Sequence, residues 1–186
     1  MRIFFTMILA LMMLPVEAQV TVSGVSLPAT LKAGDTELTL NGGGVRRRFF
    51  MNMYVGGLYL QEKSSNAANI VAADRPMAVR LEIVSGMISS DNMSEAIRDG
   101  FQKSTGGNTR ALQARIDEFI RVFSREEIGR GNVFELVYVP GTGVQTYKNG
   151  RLQNTIQGLD FKRALFGIWL SDDPADNSLK RGMLGR

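Results

Sequence analysis

The chain has 186 residues, 22 basic and 18 acidic side chains, a formal net charge of +4, and neither histidine nor cysteine. Lack of histidine excludes the Ser/His/Asp and Cys/His nucleophile systems, the commonest zinc ligand and the usual general base near neutral pH. Lack of cysteine excludes disulfides and a lipid-anchored cysteine. Basic and acidic residues are interspersed, as in IDEFIRVFSREEIGR, so the basic balance describes a solvated surface and no nucleic-acid partner is expected.

At the N-terminus Arg2 precedes an apolar run from Ile3 to Leu14, with small residues following at Val16 and Ala18. The pattern is that of a secretory signal peptide cleaved after Ala18, and a run of roughly 12 residues is too short for a bilayer span of about 20. The expected organisation is a signal peptide over residues 1–18 and one domain over 19–186. A domain of that size buries about 70% of its unfolded surface and needs no covalent staples.

Residues 20–27 and 37–40 alternate apolar and polar side chains like half-buried strands, with Ala33-Gly34-Asp35 as a turn between them. Residues 45–60 read as a longer strand or a bent pair, and 78–84 as another strand. A helix is expected where Met93, Ile97 and Phe101 recur behind the capping candidates Asp91 and Asn92. A second carries Leu112, Ile116, Phe119, Ile120 and Phe123 after Asn108 and Thr109. Strands at 133–139, 144–148 and 152–156 form a meander whose second turn is Asn149-Gly150, a pair suited to positive φ. Phe161, Ala164, Leu165, Ile168 and Trp169 mark a third helix, and Asn177 caps a short last one. This order implies an α+β fold, with helices packed on one face of an antiparallel sheet.

Two motifs lead nowhere. GTGVQTYKNG looks like a glycine-rich phosphate loop but lacks the Lys-Ser/Thr ending and the following helix. Asp172, Asp173 and Asp176 lack the glycine and distal glutamate of a calcium loop and are better explained by helix capping. No metal or cofactor is expected.

The segment NGGGVRRRFF, residues 41–50, places three arginines in an otherwise strand-like stretch. In an uninterrupted strand, Arg46, Arg48, Phe50, Asn52, Tyr54 and Leu58 share one face, and Val45, Phe49, Met51, Met53, Val55 and Tyr59 the other. The mixed face suits a cleft for an amphipathic ligand, with Arg46 gripping a carboxylate through its planar fork and Tyr54 adding a donor. A charged edge strand that deters edge-to-edge pairing reads equally from the same residues.

The stretch LNGGGVRRRFFMNMYVGGLYLQ resembles the signature segment of the chalcone isomerase fold. The later ALFGIWLSDDPADNSLKRGMLG is similar to the C-terminal helices of that family's bacterial, exported branch. The resemblance implies an open-faced antiparallel sheet packed against helices with a cleft between them, and a periplasmic location. In plant chalcone isomerases the arginine after the glycine-rich turn stabilises negative charge as a phenolate closes onto an enone; by motif it falls on Arg46, while the family's catalytic threonine falls on Tyr54. The hydroxyl of the late helix falls near Ile168, which has none. Fatty-acid-binding relatives use an arginine and a tyrosine for the ligand carboxylate, and that pair matches Arg46 and Tyr54. The resemblance thus implies a monomeric, non-catalytic binder of a fatty acid or similar amphipathic anion, with peripheral membrane contact left open. One alternative is an intramolecular lyase or isomerase acting on an enone, with Arg46 as electrostatic catalyst and Tyr54 as proton donor. Another is a structural or partner-binding protein of the envelope.

Overall fold

The computed structural model describes residues 19–186, so the expected signal peptide lies outside the described residues. The first strands, β1 (Gln19–Val22) and β2 (Val25–Pro28), pair as a separate two-stranded sheet. Residues 20–27, expected as one strand, therefore fold back at Ser23-Gly24, both with positive φ (48° and 81°). The apolar alternation runs through this turn and hides it.

Seven further strands form one antiparallel sheet whose order follows the chain: β3 (Thr30–Ala33), β4 (Thr36–Arg48), β5 (Met51–Leu60), β6 (Met77–Ile83), β7 (Val133–Val139), β8 (Gly143–Lys148) and β9 (Arg151–Ile156). Residues 45–60 form the bent pair: the chain reverses at Phe49-Phe50, with φ 49° and 65°. The expected meander of β7, β8 and β9 is present, with Asn149-Gly150 at φ 49° and 77°.

The helices are α1 (Ala67–Ala72), α2 (Ser90–Ser104), α3 (Gln113–Ser124, entered through a 3-10 turn at Arg110–Leu112), α4 (Leu159–Leu170) and α5 (Asn177–Met183). α1 is too short to show a periodicity and was not expected. α2 begins two to three residues earlier than the expected caps Asp91 and Asn92 imply. Its N-cap is Ser89, whose hydroxyl accepts from the Asn92 backbone N–H while the Asn92 side chain accepts from that of Ser89, a reciprocal capping box. α5 is capped by Asp176, one residue before the expected Asn177, through bonds from the backbone N–H groups of Ser178 and Leu179. A carboxylate accepts both orphan donors and complements the helix dipole.

α2, α3 and α4 lay their apolar stripes on one face of the sheet. The rings of Phe101, Phe119 and Phe161 meet pairwise at 5.6–6.1 Å, and Phe123 contacts Phe134 of β7 at 4.8 Å. Truncating one such ring to alanine costs about 3–5 kcal/mol. A smaller core lies on the opposite face, where Val55 and Tyr59 of β5 pack with Leu27, Leu38 and Leu40 beneath the β1–β2 hairpin. β5 is therefore buried on both faces from Met53 to Leu60.

The triple glycine of β4 has a packing reason. α5 lies so close to the strand that a methyl at Gly182 would sit 2.5 Å from the Gly43 carbonyl oxygen, and one at Gly44 would sit 3.1 Å from Leu179 Cα. The end of the chain is thereby clamped onto the strand that leads to Arg46.

Candidate functional site

In an antiparallel pair, residues directly opposite share a face. Arg46 of β4 stands opposite Tyr54 of β5, so both side chains project toward the helices. The Arg46 guanidinium carbon lies 5.7 Å from the Tyr54 ring centroid. The shared face of Arg46 and Tyr54 is expected for an uninterrupted strand; in the bent pair that forms they are instead cross-strand partners, and the turn brings them closer than eight residues of extended chain would. The turn also dissolves the rest of the supposed mixed face. Phe50 stands fully exposed at the hairpin tip, and a register shift after Arg46 pairs Arg47 with Asn52, leaving Met53 without an opposite residue.

Arg47 and Arg48 are exposed and occupied locally. The Arg47 side chain donates to Asn52 Oδ1 (3.2 Å), its backbone N–H donates to Asp176 Oδ2 (3.0 Å), and Arg48 stacks over the Phe49 ring at 5.3 Å. Arg46 differs from both. Its Nε is buried with no hydrogen-bond partner, and among the described residues no carboxylate lies within ion-pair distance of its guanidinium. A buried donor left in this condition costs about 1–3 kcal/mol, more when charged.

Tyr54 is 4% exposed, and its hydroxyl accepts a hydrogen bond from Trp169 Nε1 at 2.9 Å. Burial pushes the phenol above its ordinary value; Arg46 and the Trp169 bond oppose this without cancelling it, and Asp176 adds to the rise. Tyr54 thus keeps its proton at neutral pH, and with its lone pair taken by the indole that proton is available to an acceptor beside Arg46. Trp169 was read from sequence only as a core residue of the third helix. A usable signal was that it is the sole tryptophan, since a buried indole N–H normally finds a partner.

Beside this pair runs an apolar slot walled by Leu81, Met93, Ile97, Phe119, Phe123 and Ile168, with a volume of about 30 Å³. That is room for one or two waters, whereas pockets for drug-sized ligands run to about 300–1,000 Å³. Arg46 also lines an open outer groove of about 320 Å³ bounded by Arg48, Glu95, Asp99 and Lys103. It therefore stands at the mouth, between a greasy interior and a polar exterior. A concavity of about 390 Å³ at the far end of the sheet, near Glu62 and Arg75, is larger and slightly more open. Of these spaces, the slot and the groove at Arg46 are the ones that hold the orphaned donor, so the chemistry is placed there. Asn92, the amide nearest the slot mouth, is committed to capping α2 and to the Met87 carbonyl (2.8 Å).

This combination of a sequential antiparallel sheet, helices on one face and a cleft opened by a strand arginine defines a known structural class. A family model described as chalcone isomerase-like matches residues 19–185, and the chain belongs to that family. Among solved structures, the chain is similar to a fatty-acid binding protein of Arabidopsis thaliana, with a TM-score of 0.72 and 20% identity over 90% of this chain and 96% of that one. No curated protein sequence matches. The expected fold, an antiparallel sheet with helices on one face, stands.

Proposed function

We propose that the protein is a non-catalytic carrier of a fatty acid or similar amphipathic anion, whose carboxylate is held between the Arg46 guanidinium and the Tyr54 hydroxyl. One observation carries this reading: a buried, unpaired arginine Nε beside a phenol that has a proton to give, at the mouth of a hydrocarbon-lined slot. A carboxylate supplies the acceptors both donors lack, and charge-assisted bonds of this kind are about twice as strong as neutral ones. The similarity to a fatty-acid binding protein agrees with this reading.

The slot volume adds a condition. An acyl chain enters only if α2 and its side chains Met93 and Ile97 move away from Phe119 and Ile168. Burying roughly 12 carbons returns on the order of 9 kcal/mol gross, which covers such an opening and the ordering costs to leave about micromolar affinity. Lyase chemistry on an enone is less well supported, because apart from Arg46 and Tyr54 the slot wall carries no titratable group. Calorimetric titration of delipidated protein with dodecanoate and palmitate tests the proposal. Micromolar binding that falls at least tenfold in Arg46→Leu, with unfolding temperature preserved, supports it; delipidated protein that takes up neither acid overturns it.

Export to the periplasm, in the manner of the family's bacterial branch, is part of the same reading. It rests on Arg2, the apolar run to Leu14 and the small residue Ala18. N-terminal sequencing of protein from an envelope fraction should begin at Gln19.

A further inference from the structure

The described chain makes three two-residue hairpin turns in which both central residues are left-handed: Ser23-Gly24, Phe49-Phe50 and Asn149-Gly150. Two use the small or amide residues that such turns favour. The β4–β5 turn uses two phenylalanines, side chains that resist positive φ. Strain of this kind persists where the position serves something other than stability.

Exposure indicates what it serves. Phe49 is 76% exposed and Phe50 fully so. Because every neighbouring pair in the sheet is antiparallel, the β4–β5 turn, the loop after β6 and the β8–β9 turn all lie at one end. That loop donates from Val84 and Ser85 to the Met53 carbonyl, which carries Met87 to the hairpin's side. Phe49, Phe50, Met51, Met87 and Leu152 are all at this end, and they are five of the six exposed large apolar side chains among the described residues. Around them stand exposed Arg47, Arg48, Arg125, Arg130 and Arg151, against exposed Asp91, Glu126 and Glu127, with Glu126 already paired to Lys148 at 3.0 Å and with Glu95 and Asp99 set back in the groove beside Arg46.

We infer that this end of the molecule docks on an anionic lipid bilayer, with Phe49 and Phe50 entering the headgroup layer. The apolar side chains come from three separate segments, Phe49, Phe50 and Met51 on one hairpin with Met87 and Leu152 apart from it, and are interleaved with arginines. A protein interface would instead present a contiguous core depleted of charge. Phenylalanine rings insert as apolar groups at the headgroup–acyl boundary, arginines extend their heads to phosphates above buried stems, and each cation near an anionic surface strengthens binding about fivefold. Arg48, stacked on Phe49, presents ring and charge together. Docking in this way also turns the slot mouth at Arg46 and Arg48 toward the lipid. The inference does not depend on what the slot carries.

The test is cosedimentation of purified protein with vesicles of phosphatidylcholine alone and with phosphatidylglycerol added. The expected result is binding to the anionic vesicles that weakens with salt, and at least a tenfold loss in the double variant Phe49→Asn, Phe50→Gly. That variant installs the turn residues the chain itself uses at Asn149-Gly150, so it folds with unchanged or raised unfolding temperature. It also keeps fatty-acid affinity, which separates this test from the Arg46 variant. Wild-type protein that ignores anionic vesicles, or a variant that binds them as tightly as wild type, overturns the inference.

Discussion

Arg46 and Lys162 both withdraw cationic donors from water, Arg46 its Nε alone and Lys162 its whole ammonium, and the fold treats them in opposite ways. Lys162, on α4, is wholly buried, and its ammonium donates to the carbonyls of Ile70 (2.9 Å), Val71 (2.9 Å) and Ala73 (2.8 Å). These carbonyls end α1 and have no partner within the helix. Each of its three protons has an acceptor, and the rings of Tyr138 and Phe166 lie 5.5 and 6.0 Å from the charge. Arg46 keeps a buried donor without an acceptor. Burial alone does not separate the two; the state of their donors does, satisfied in Lys162 and unsatisfied in Arg46, and the proposed ligand would supply the acceptor that Arg46 lacks.

Four measurements sharpen or break this contrast. Lys162→Met strands three carbonyls and should cost about 3 kcal/mol or more in urea unfolding, with ligand affinity of the folded protein unchanged. Arg46→Met should do the reverse, holding stability within about 1 kcal/mol while abolishing selectivity for acids over alcohols; swapped phenotypes would erase the distinction. The second measurement is stability against pH. Burial, then the charge of Arg163, push the Lys162 ammonium from 10.5 down to about 8, with Asp74 partly opposing. Between those values the unfolded chain holds a proton that the folded chain has released, so wild-type stability should climb with pH across that window, by on the order of 2 kcal/mol. Lys162→Met should show no such climb. Third, Tyr54→Phe deletes the neutral donor at the site and should weaken fatty-acid binding by about 1 kcal/mol, roughly fivefold. Last and smallest, Trp169→Phe removes the bond to the Tyr54 hydroxyl and should cost about 1 kcal/mol of stability or less, with ligand affinity falling only insofar as the phenol reorients.

The sequence made the fold largely legible because its signals are local. Asn149-Gly150, the alternation over β6 and the stripes of α2, α3 and α4 each state their structure within a few residues. It concealed features that depend on contacts between distant segments. Ser23-Gly24 was masked because apolar residues keep alternating across it, and Phe49-Phe50 because nothing in phenylalanine announces positive φ. Arg46 and Tyr54 stand out by strand-face pattern and by family resemblance, and their cross-strand pairing follows from the Phe49-Phe50 turn. Lys162 gave no sign at all: its acceptors belong to α1, a six-residue helix that no periodicity could reveal. Trp169 reaches Tyr54 across 115 positions of sequence.

The contact between Gly43 and Gly182 joins the first long strand to a helix far along the chain. Asp176 fastens the same two segments through the Arg47 amide. The strand that carries Arg46 therefore reaches its final seat only once α5 is present to pack on it. Removal of residues 177–186 should thus unseat the arginine while leaving the distant meander intact.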